Sequence, residues 1–472
     1  MSTIKKQTVR GKRIGIFHGK FDPPHYGHLF CASRVLEHFK LDFVSFVVCA
    51  TPPNKPVGAL DAEDRYAMVV AAVEETPGFT TSRADLHHGG QSYSLTTVEA
   101  IREQYGPDNE YFYITSSEYL DPAYKDFLGG WIGGKEMFKL CTFIVFPRES
   151  TEIAEISEWV KHPLLAKAKI EVMDLPSPPL SSSMLRDLVA DGRSIDFMTP
   201  YAVQAIIKKK GHYRTLTPPT YGPPFCSVPP EKIKRLGVMA GSFDPITYGD
   251  LFIGNFGRQA YSLDRVLYVP SAIPPNNTQV SESAEARYKM VVAATANNEF
   301  FDDSRIDLAR GTTSYALLTA QELIAKYGKD VEISWFLAAD FINPDNEWCL
   351  PNWMGGETFM KMVSFLVFAR SSKQLKQAAE WAKQLKERYP YLRMEVMSDC
   401  PCDFVESHTI RKLVSEGRST WFTTTWGVQQ IIAKEKLYLP EPAAKRSSRA
   451  KAKKAPAKKT PPKASPKPRR KA

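Results

Sequence analysis

Short apolar runs alternate with stretches of helical period along most of the chain. Arg13 to Phe17 reads as a first strand, followed by a turn and a helix from about Gly27 to Phe39. Phe43 to Val48 is nearly all apolar, as a strand covered on both faces requires. Asp61 to Val73 has the spacing of an amphipathic helix, with Asp61 placed to cap it. Tyr111 to Ile114 and Cys141 to Phe146 read as further strands, and the second has a counterpart in Val363 to Phe368. Alternating β and α elements predict an α/β fold, an open and mainly parallel sheet with helices on both faces. Ligands of such sheets lie beyond the carboxyl ends of the strands, near helix N-termini.

The same pattern occurs twice. Phe21-Asp22-Pro23 returns as Phe243-Asp244-Pro245, and the offset of 222 also relates Arg65 to Arg287, Ser92-Tyr93 to Ser314-Tyr315, Trp131 to Trp353 and Arg148 to Arg370. Towards the end the offset grows to 225, relating Arg186 to Arg411. A register kept over so many residues marks a tandem duplication of one domain of roughly 200 residues. The boundaries read as 1–214 and 231–439. Between them, residues 215–230 hold six prolines, which predicts a stiff connector. From residue 440 the chain is Lys-, Pro- and Ala-rich, and such a composition predicts disorder.

Charge sharpens this division. The chain of 472 residues carries +10, yet 13 Lys and Arg against one acid fall between Glu441 and Ala472. The basic character therefore belongs to the tail, and the two domains together are slightly acidic. Hydrophobic content of 43% is that of a globular protein, and no apolar run is long enough to cross a bilayer. The N-terminus lacks the apolar core of a secretory signal. Seven scattered cysteines suit reduced thiols in an intracellular setting, nuclear or cytoplasmic. Cys400-Pro401-Cys402 has no second pair or neighbouring histidine and makes a poor metal site.

The first candidate strand runs into His18-Gly19-Lys20-Phe21-Asp22-Pro23-Pro24-His25-Tyr26-Gly27-His28. His25 and His28 stand three apart at a predicted helix start, so both imidazoles share one face of its first turn. Gly27 lets an anion approach the amides at the positive end of that helix. Late in the same copy, Ser181-Ser182-Ser183-Met184-Leu185-Arg186 opens another helix and offers hydroxyls, amides and a guanidinium. Either motif alone is commonplace: a surface histidine pair, or an ordinary serine cap. Two anion cradles in one α/β domain suit a triphosphate, and phosphoryl chemistry needs such positioned donors rather than a nucleophilic side chain.

The two motifs together resemble the HxGH nucleotidyltransferase superfamily, and most closely the nicotinamide or nicotinate mononucleotide adenylyltransferases. Their first turn reads G-G-[ST]-F-D-P-x-H-x-G-H and their late motif I-S-S-T-x-I-R. The resemblance spans about Ile14 to Tyr213 and again Leu236 to Tyr438. It implies two Rossmann-like domains and transfer of AMP from ATP to a pyridine mononucleotide, giving NAD or its acid form and pyrophosphate. It further implies that His25, His28 and Arg186 are catalytic. Gly19, Phe21, Asp22, Lys55, Ser182 and Ser183 are implied to hold ATP along with Arg186. Arg65, Ser92, Tyr93, Glu118, Trp131 and Arg148 are implied to meet the mononucleotide. Mg²⁺ is expected to bridge the ATP phosphates, with few protein ligands. Two departures stand out. His18-Gly19-Lys20 replaces Gly-Gly-Thr or Gly-Gly-Ser, and Ser116-Ser117-Glu118 replaces Gly-x-Asp.

The second copy departs further. It keeps Gly241-Ser242-Phe243-Asp244-Pro245, Asp340, Trp353 and Arg411, but Thr247 and Asp250 stand where the histidines should be, and Asn277 where Lys55 should be. A carboxylate in a polyphosphate site repels its ligand, which predicts a catalytically silent copy. Residues 445–471 resemble linker-histone tails, so salt-dependent, sequence-blind nucleic-acid binding or a nuclear import role is a second expectation. Two alternatives remain: another HxGH transferase, of phosphopantetheine or cytidylyl type, and a non-catalytic nucleotide-binding scaffold tethered by the tail. A homo-oligomer is compatible with either.

Overall fold

The computed structural model describes residues 10–51, 60–88, 91–148, 152–214, 232–276, 280–401 and 404–440. The connector and the basic tail lie outside them. Two sheets of six strands each form the protein, and every paired strand is parallel. In the first copy the strands are β1 (Arg13–Gly19), β2 (Phe43–Val48), β3 (Phe79–Ser82), β4 (Glu110–Ser116), β5 (Thr142–Phe146) and β6 (Ile170–Val172). In the second they are β7 (Arg235–Gly241), β8 (Arg265–Pro270), β9 (Phe301–Asp303), β10 (Glu332–Ala338), β11 (Ser364–Phe368) and β12 (Met394–Val396).

The orders are β3-β2-β1-β4-β5-β6 and β9-β8-β7-β10-β11-β12, the doubly wound arrangement of a dinucleotide-binding fold. The order reverses between β1 and β4, and between β7 and β10, and there the sheets open towards ligands. The α/β expectation and the duplication are both correct. The long, strongly patterned elements fall where the hydrophobic pattern puts them: helices Tyr26–His38 and Ala62–Val73, with Asp61 accepting the Glu63 amide at 2.7 Å. Cys141 ends the helix Gly134–Leu140, so β5 begins one residue later than its apolar run. No described helix is long and apolar enough to cross a membrane.

The core is divided in an unexpected way. One cluster, with Phe138 and Phe143, covers the outer face of the first sheet, and another, with Phe359 and Phe365, covers that of the second. The inner faces of both sheets and their helices share a third, continuous cluster. The copies meet about a local pseudo-two-fold axis. Tyr26 stacks on its own counterpart Tyr248 with centroids 4.8 Å apart. Phe197 stacks on Phe301 at 5.4 Å, and the reciprocal pair Phe79 and Phe422 lies at 6.1 Å. Gln259 Oε1 accepts the Ser194 amide at 2.5 Å, while Glu37 Oε1 accepts the Ser419 amide at 2.6 Å. Because each contact has its partner across the axis, the interface has the isologous form of a symmetric dimer within a single chain. Separating the halves would expose apolar surface on both.

Candidate functional site

At the carboxyl end of β1 the chain turns sharply into helix Tyr26–His38. Phe21 takes a left-handed φ of 48°, and its ring folds back so that a side chain at Gly19 would meet it at 3.1 Å. The turn is held from several sides. The Tyr213 hydroxyl donates to Asp22 at 2.8 Å, Thr199 donates to the Pro24 carbonyl at 2.7 Å, and Ser182 donates to the Pro23 carbonyl at 2.8 Å. These bonds bridge more than 150 residues of sequence and fix the late helix, Ser182–Ala190, against the first turn.

A cavity of 1460 Å³ opens above this junction. It is lined by Gly19, Phe21, Asp22, His25, His28, Ser182, Ser183 and Arg186 at one end. Ser92, Tyr93, Glu118, Trp131 and Arg148 line the other. The structure thus brings together all but two of the residues singled out from the sequence. The His25 and His28 rings lie against each other with centroids 3.7 Å apart and planes tilted by 31°. His28 Nδ1 accepts the His25 amide at 3.2 Å, so in the neutral ring the proton sits on Nε2. His25 is buried and its Nδ1 has no hydrogen-bond partner. Burial, and after it the neighbouring His28, hold the His25 pKa well below its usual value. These surroundings favour the neutral form of His25, and a polyanion beside it would draw it towards the charged form.

Facing this pair, Arg186 donates to the Asp22 carbonyl at 2.7 Å and to Ser183 Oγ at 3.2 Å. Ser181 caps the late helix by accepting the Met184 amide at 3.2 Å. Two helix N-termini, two imidazoles and a guanidinium therefore converge on one end of the cleft, an arrangement for binding phosphate.

The other end is flat and aromatic. Trp131 Nε1 donates to the Asp126 carbonyl at 2.7 Å, and its ring meets the Tyr119 ring edge at 5.3 Å. Arg148 pairs with Glu118 at 2.7 Å. Here the structure adds a group whose partners the sequence hid. His18 Nε2 lies 2.9 Å from Asp85 Oδ2, and Nδ1 lies 3.2 Å from the Tyr113 hydroxyl. Burial works against the charged ring, but Tyr113, Asp85 and Cys49 outweigh it and hold the His18 pKa well above normal. His18 is visible in the sequence as a departure from Gly, but Asp85 is 67 residues away and nothing local links them.

Two expectations fall differently. Arg65 does not line the cleft. Its guanidinium is buried and donates to the carbonyls of Leu60, Lys20, Cys49 and Ala50 at 2.7–3.0 Å, so it braces the turn from below. Its four carbonyl partners come from three segments, around Lys20, Cys49-Ala50 and Leu60, which no motif spacing reveals. Lys55 lies outside the described residues.

The second copy rebuilds this scaffold bond for bond and reverses its chemistry. Ser407 donates to the Pro245 carbonyl at 2.8 Å, Arg411 to the Asp244 carbonyl at 2.7 Å, Thr424 to the Ile246 carbonyl at 2.7 Å, and Tyr438 to Asp244 at 3.0 Å. At the helix mouth, however, Asp250 accepts from both the amide and the hydroxyl of Thr247, at 2.8 and 2.9 Å. Opposite Ser181 of the first copy stands Glu406, which takes the Arg370 guanidinium at 2.6 Å while Asp340 holds its other edge at 2.9 Å. Arg370 and Glu406 of this ion-paired group line the second cavity, which measures 500 Å³. The far wall of the first cleft also includes second-copy residues, among them Ser372, Asp399 and Pro401.

Comparison with known proteins agrees with the duplication. The cytidylyltransferase-like family model matches residues 16–188 and again 238–424. A probable nicotinate-nucleotide adenylyltransferase of Thermus thermophilus is 37% identical over 202 residues, 43% of this chain and all of that protein. One from Shouchella clausii is 34% identical over 205 residues, 43% of this chain and 97% of the relative. Among solved structures, the Plasmodium falciparum nicotinic acid mononucleotide adenylyltransferase complexed with NaAD aligns with 43% of this chain and 97% of its own, at 17% identity and a TM-score of 0.35.

Proposed function

Since the chain belongs to the cytidylyltransferase-like family, in the branch of the nicotinate-nucleotide adenylyltransferases, we propose that its first copy joins AMP from ATP to nicotinate or nicotinamide mononucleotide. The observation that carries this is the convergence of His25, His28, Ser183 and Arg186 on one end of a cleft whose other end is walled by Trp131 and Tyr119. In this reading the triphosphate lies across the two helix mouths and the pyridine against the aromatic wall. A phosphate oxygen of the mononucleotide attacks the α-phosphorus of ATP. The bond from that phosphorus to the β-phosphate oxygen breaks, and pyrophosphate leaves with the pair of electrons. No side chain forms a covalent bond. The imidazoles and Arg186 stabilise charge that grows on the departing phosphates, which is where catalysis of such transfers resides.

Mg²⁺ fits as a companion of the nucleotide rather than a resident ion. Near the cradles, Asp22 already accepts from Tyr213 and faces Lys20 at 3.4 Å and Arg186 at 3.9 Å. Among the described residues, the cluster with metal-ligand chemistry is His18, Cys49 and Asp85, at the pyridine end. The ion when bound would neutralise charge between phosphates, held mainly by them and by water. The name of the curated relatives makes the acid the first substrate to try. Incubation of the full chain with ATP, Mg²⁺ and nicotinate mononucleotide is expected to yield equal amounts of acid dinucleotide and pyrophosphate. Failure with both the acid and the amide would refute the reading. The basic tail lies outside this chemistry, and we assign it to non-specific contact with nucleic acid.

A further inference from the structure

The second cavity has lost its phosphate end and kept its aromatic end. Both helix mouths that would receive phosphates carry the protein's own carboxylates, Asp250 at one and Glu406 at the other. Burial raises the Asp250 pKa despite its bonds from Thr247 and the charge of Arg370. Arg370 is shared between Asp340 and Glu406, and Arg411 is spent on the Asp244 carbonyl. The carboxylates facing this cavity, Asp244, Asp250, Asp307 and Glu406, outnumber its two guanidiniums, whereas in the first cleft Lys20, Lys125, Arg148 and Arg186 match the carboxylates in number and two imidazoles stand at the helix mouth.

The aromatic wall is fully assembled. Trp353 Nε1 donates to the Trp348 carbonyl at 2.7 Å, as Trp131 does to Asp126, and its ring meets the Phe341 edge at 5.3 Å. Trp348 and Met354 remain partly exposed at 38% and 41%. A volume of 500 Å³ is that of a small-molecule site. An aromatic surface beside carboxylates, in a copy whose helix mouths carry Asp250 and Glu406, selects for a ligand that stacks and carries no anionic group.

We propose that the second cavity is a receptor site for an unphosphorylated, planar nitrogen heterocycle, neutral or cationic, in the form of a nucleoside or free base. The ring stacks against Trp353, and its positive charge or N–H groups face Asp250 and Glu406. A phosphate on the same ligand would meet Asp250 and Glu406 and be turned away. The site thus sorts ligands by the opposite rule to the first cleft. The inference concerns binding alone and stands whether or not the first copy transfers AMP.

The test is a matched pair of probes on the full chain, nicotinamide riboside and nicotinamide mononucleotide, which differ by one phosphate. Binding is followed by calorimetry in wild type and in Trp353→Ala, Trp353→Phe and Trp131→Ala variants. The riboside is expected to show a component abolished by Trp353→Ala, retained by Trp353→Phe and indifferent to Trp131→Ala. At that component it should bind at least tenfold more tightly than the mononucleotide. Asp250→Asn combined with Glu406→Ser should narrow the gap, a gain that no folding defect could imitate. Absence of a Trp353-dependent component at millimolar riboside would overturn the proposal, as would equal or tighter binding of the mononucleotide there.

Discussion

The two halves of this chain are the same machine with opposite wiring. Each carries a phenylalanine of positive φ in its first turn (φ 48° at Phe21, 46° at Phe243), a tyrosine bonded to the turn aspartate, and a serine and an arginine that tie the late helix to that turn. What differs is a handful of side chains at the mouth. His25 and His28 become Thr247 and Asp250, and Ser181 becomes Glu406. The bonds that shape the backbone can therefore be separated from the groups that face the ligand, and a duplicated domain can lose one set while keeping the other. The shared inner core adds a reason for the second copy to persist. It covers apolar surface of the first and lends residues to the wall of its cleft.

Substitutions made in parallel in the two copies would test that separation. The largest contrast is expected at the helix mouths. His25→Ala with His28→Ala should lower the turnover rate by about 10³-fold or more with the protein still folded, as loss of preorganised donors to a departing phosphate does. Thr247→Ala with Asp250→Ala should leave the rate unchanged. Steady-state assay of pyrophosphate release checks both, and comparable losses from the two pairs would show that the copies share the chemistry.

Next come the braces, where the copies should behave alike. Arg65→Leu strands the carbonyls of Leu60, Lys20, Cys49 and Ala50, and Arg287→Leu strands those of Glu282, Ser242, Ser271 and Ala272. Each should cost about 3 kcal/mol or more, because buried acceptors lose their donors. Chemical denaturation would measure it. A loss of activity without loss of stability at Arg65 would return that residue to the list of ligand contacts.

A smaller contrast lies in pH. In the first copy Asp85 is held by His18 and Thr97, and in the second the matching Asp307 is held by Arg310 and Thr319. The folded pKa of His18 is raised, so its contribution is complete below its ordinary value of about 6.5. It is lost as pH rises through the raised value. Asp85 is lowered, so its contribution is lost only as pH falls through that lowered value. The pair therefore stabilises the fold between these limits and gives it an alkaline limb that an arginine pair lacks. His18→Asn should flatten that limb, a change on the order of 1 kcal/mol. Melting temperatures measured from about pH 6 to about pH 10 would show it, and an unchanged limb would assign it to another group.

The smallest effect on the reaction should follow removal of residues 441–472. Turnover should be unaffected, while binding to duplex DNA at low salt disappears. Retention of that binding by the truncated chain would move the interaction to the folded copies.

Read alone, the amino-acid sequence yields the period, the sheet class and the residues that gather at one end of the first cleft. Its apolar runs were long and regular enough to mark strands, and the repeat of Phe-Asp-Pro at a fixed offset marked two copies. That end was legible because its residues fall in two compact motifs, the first turn and the late helix start, each marked by its own local spacing. Three-dimensional packing is what puts Arg65 beneath the cleft, pairs His18 with Asp85 and brings Glu406 to Arg370. It alone revealed an inner core common to both copies. These features join residues tens to hundreds of positions apart. Their partners are chosen by packing of whole layers, which leaves no trace in local spacing.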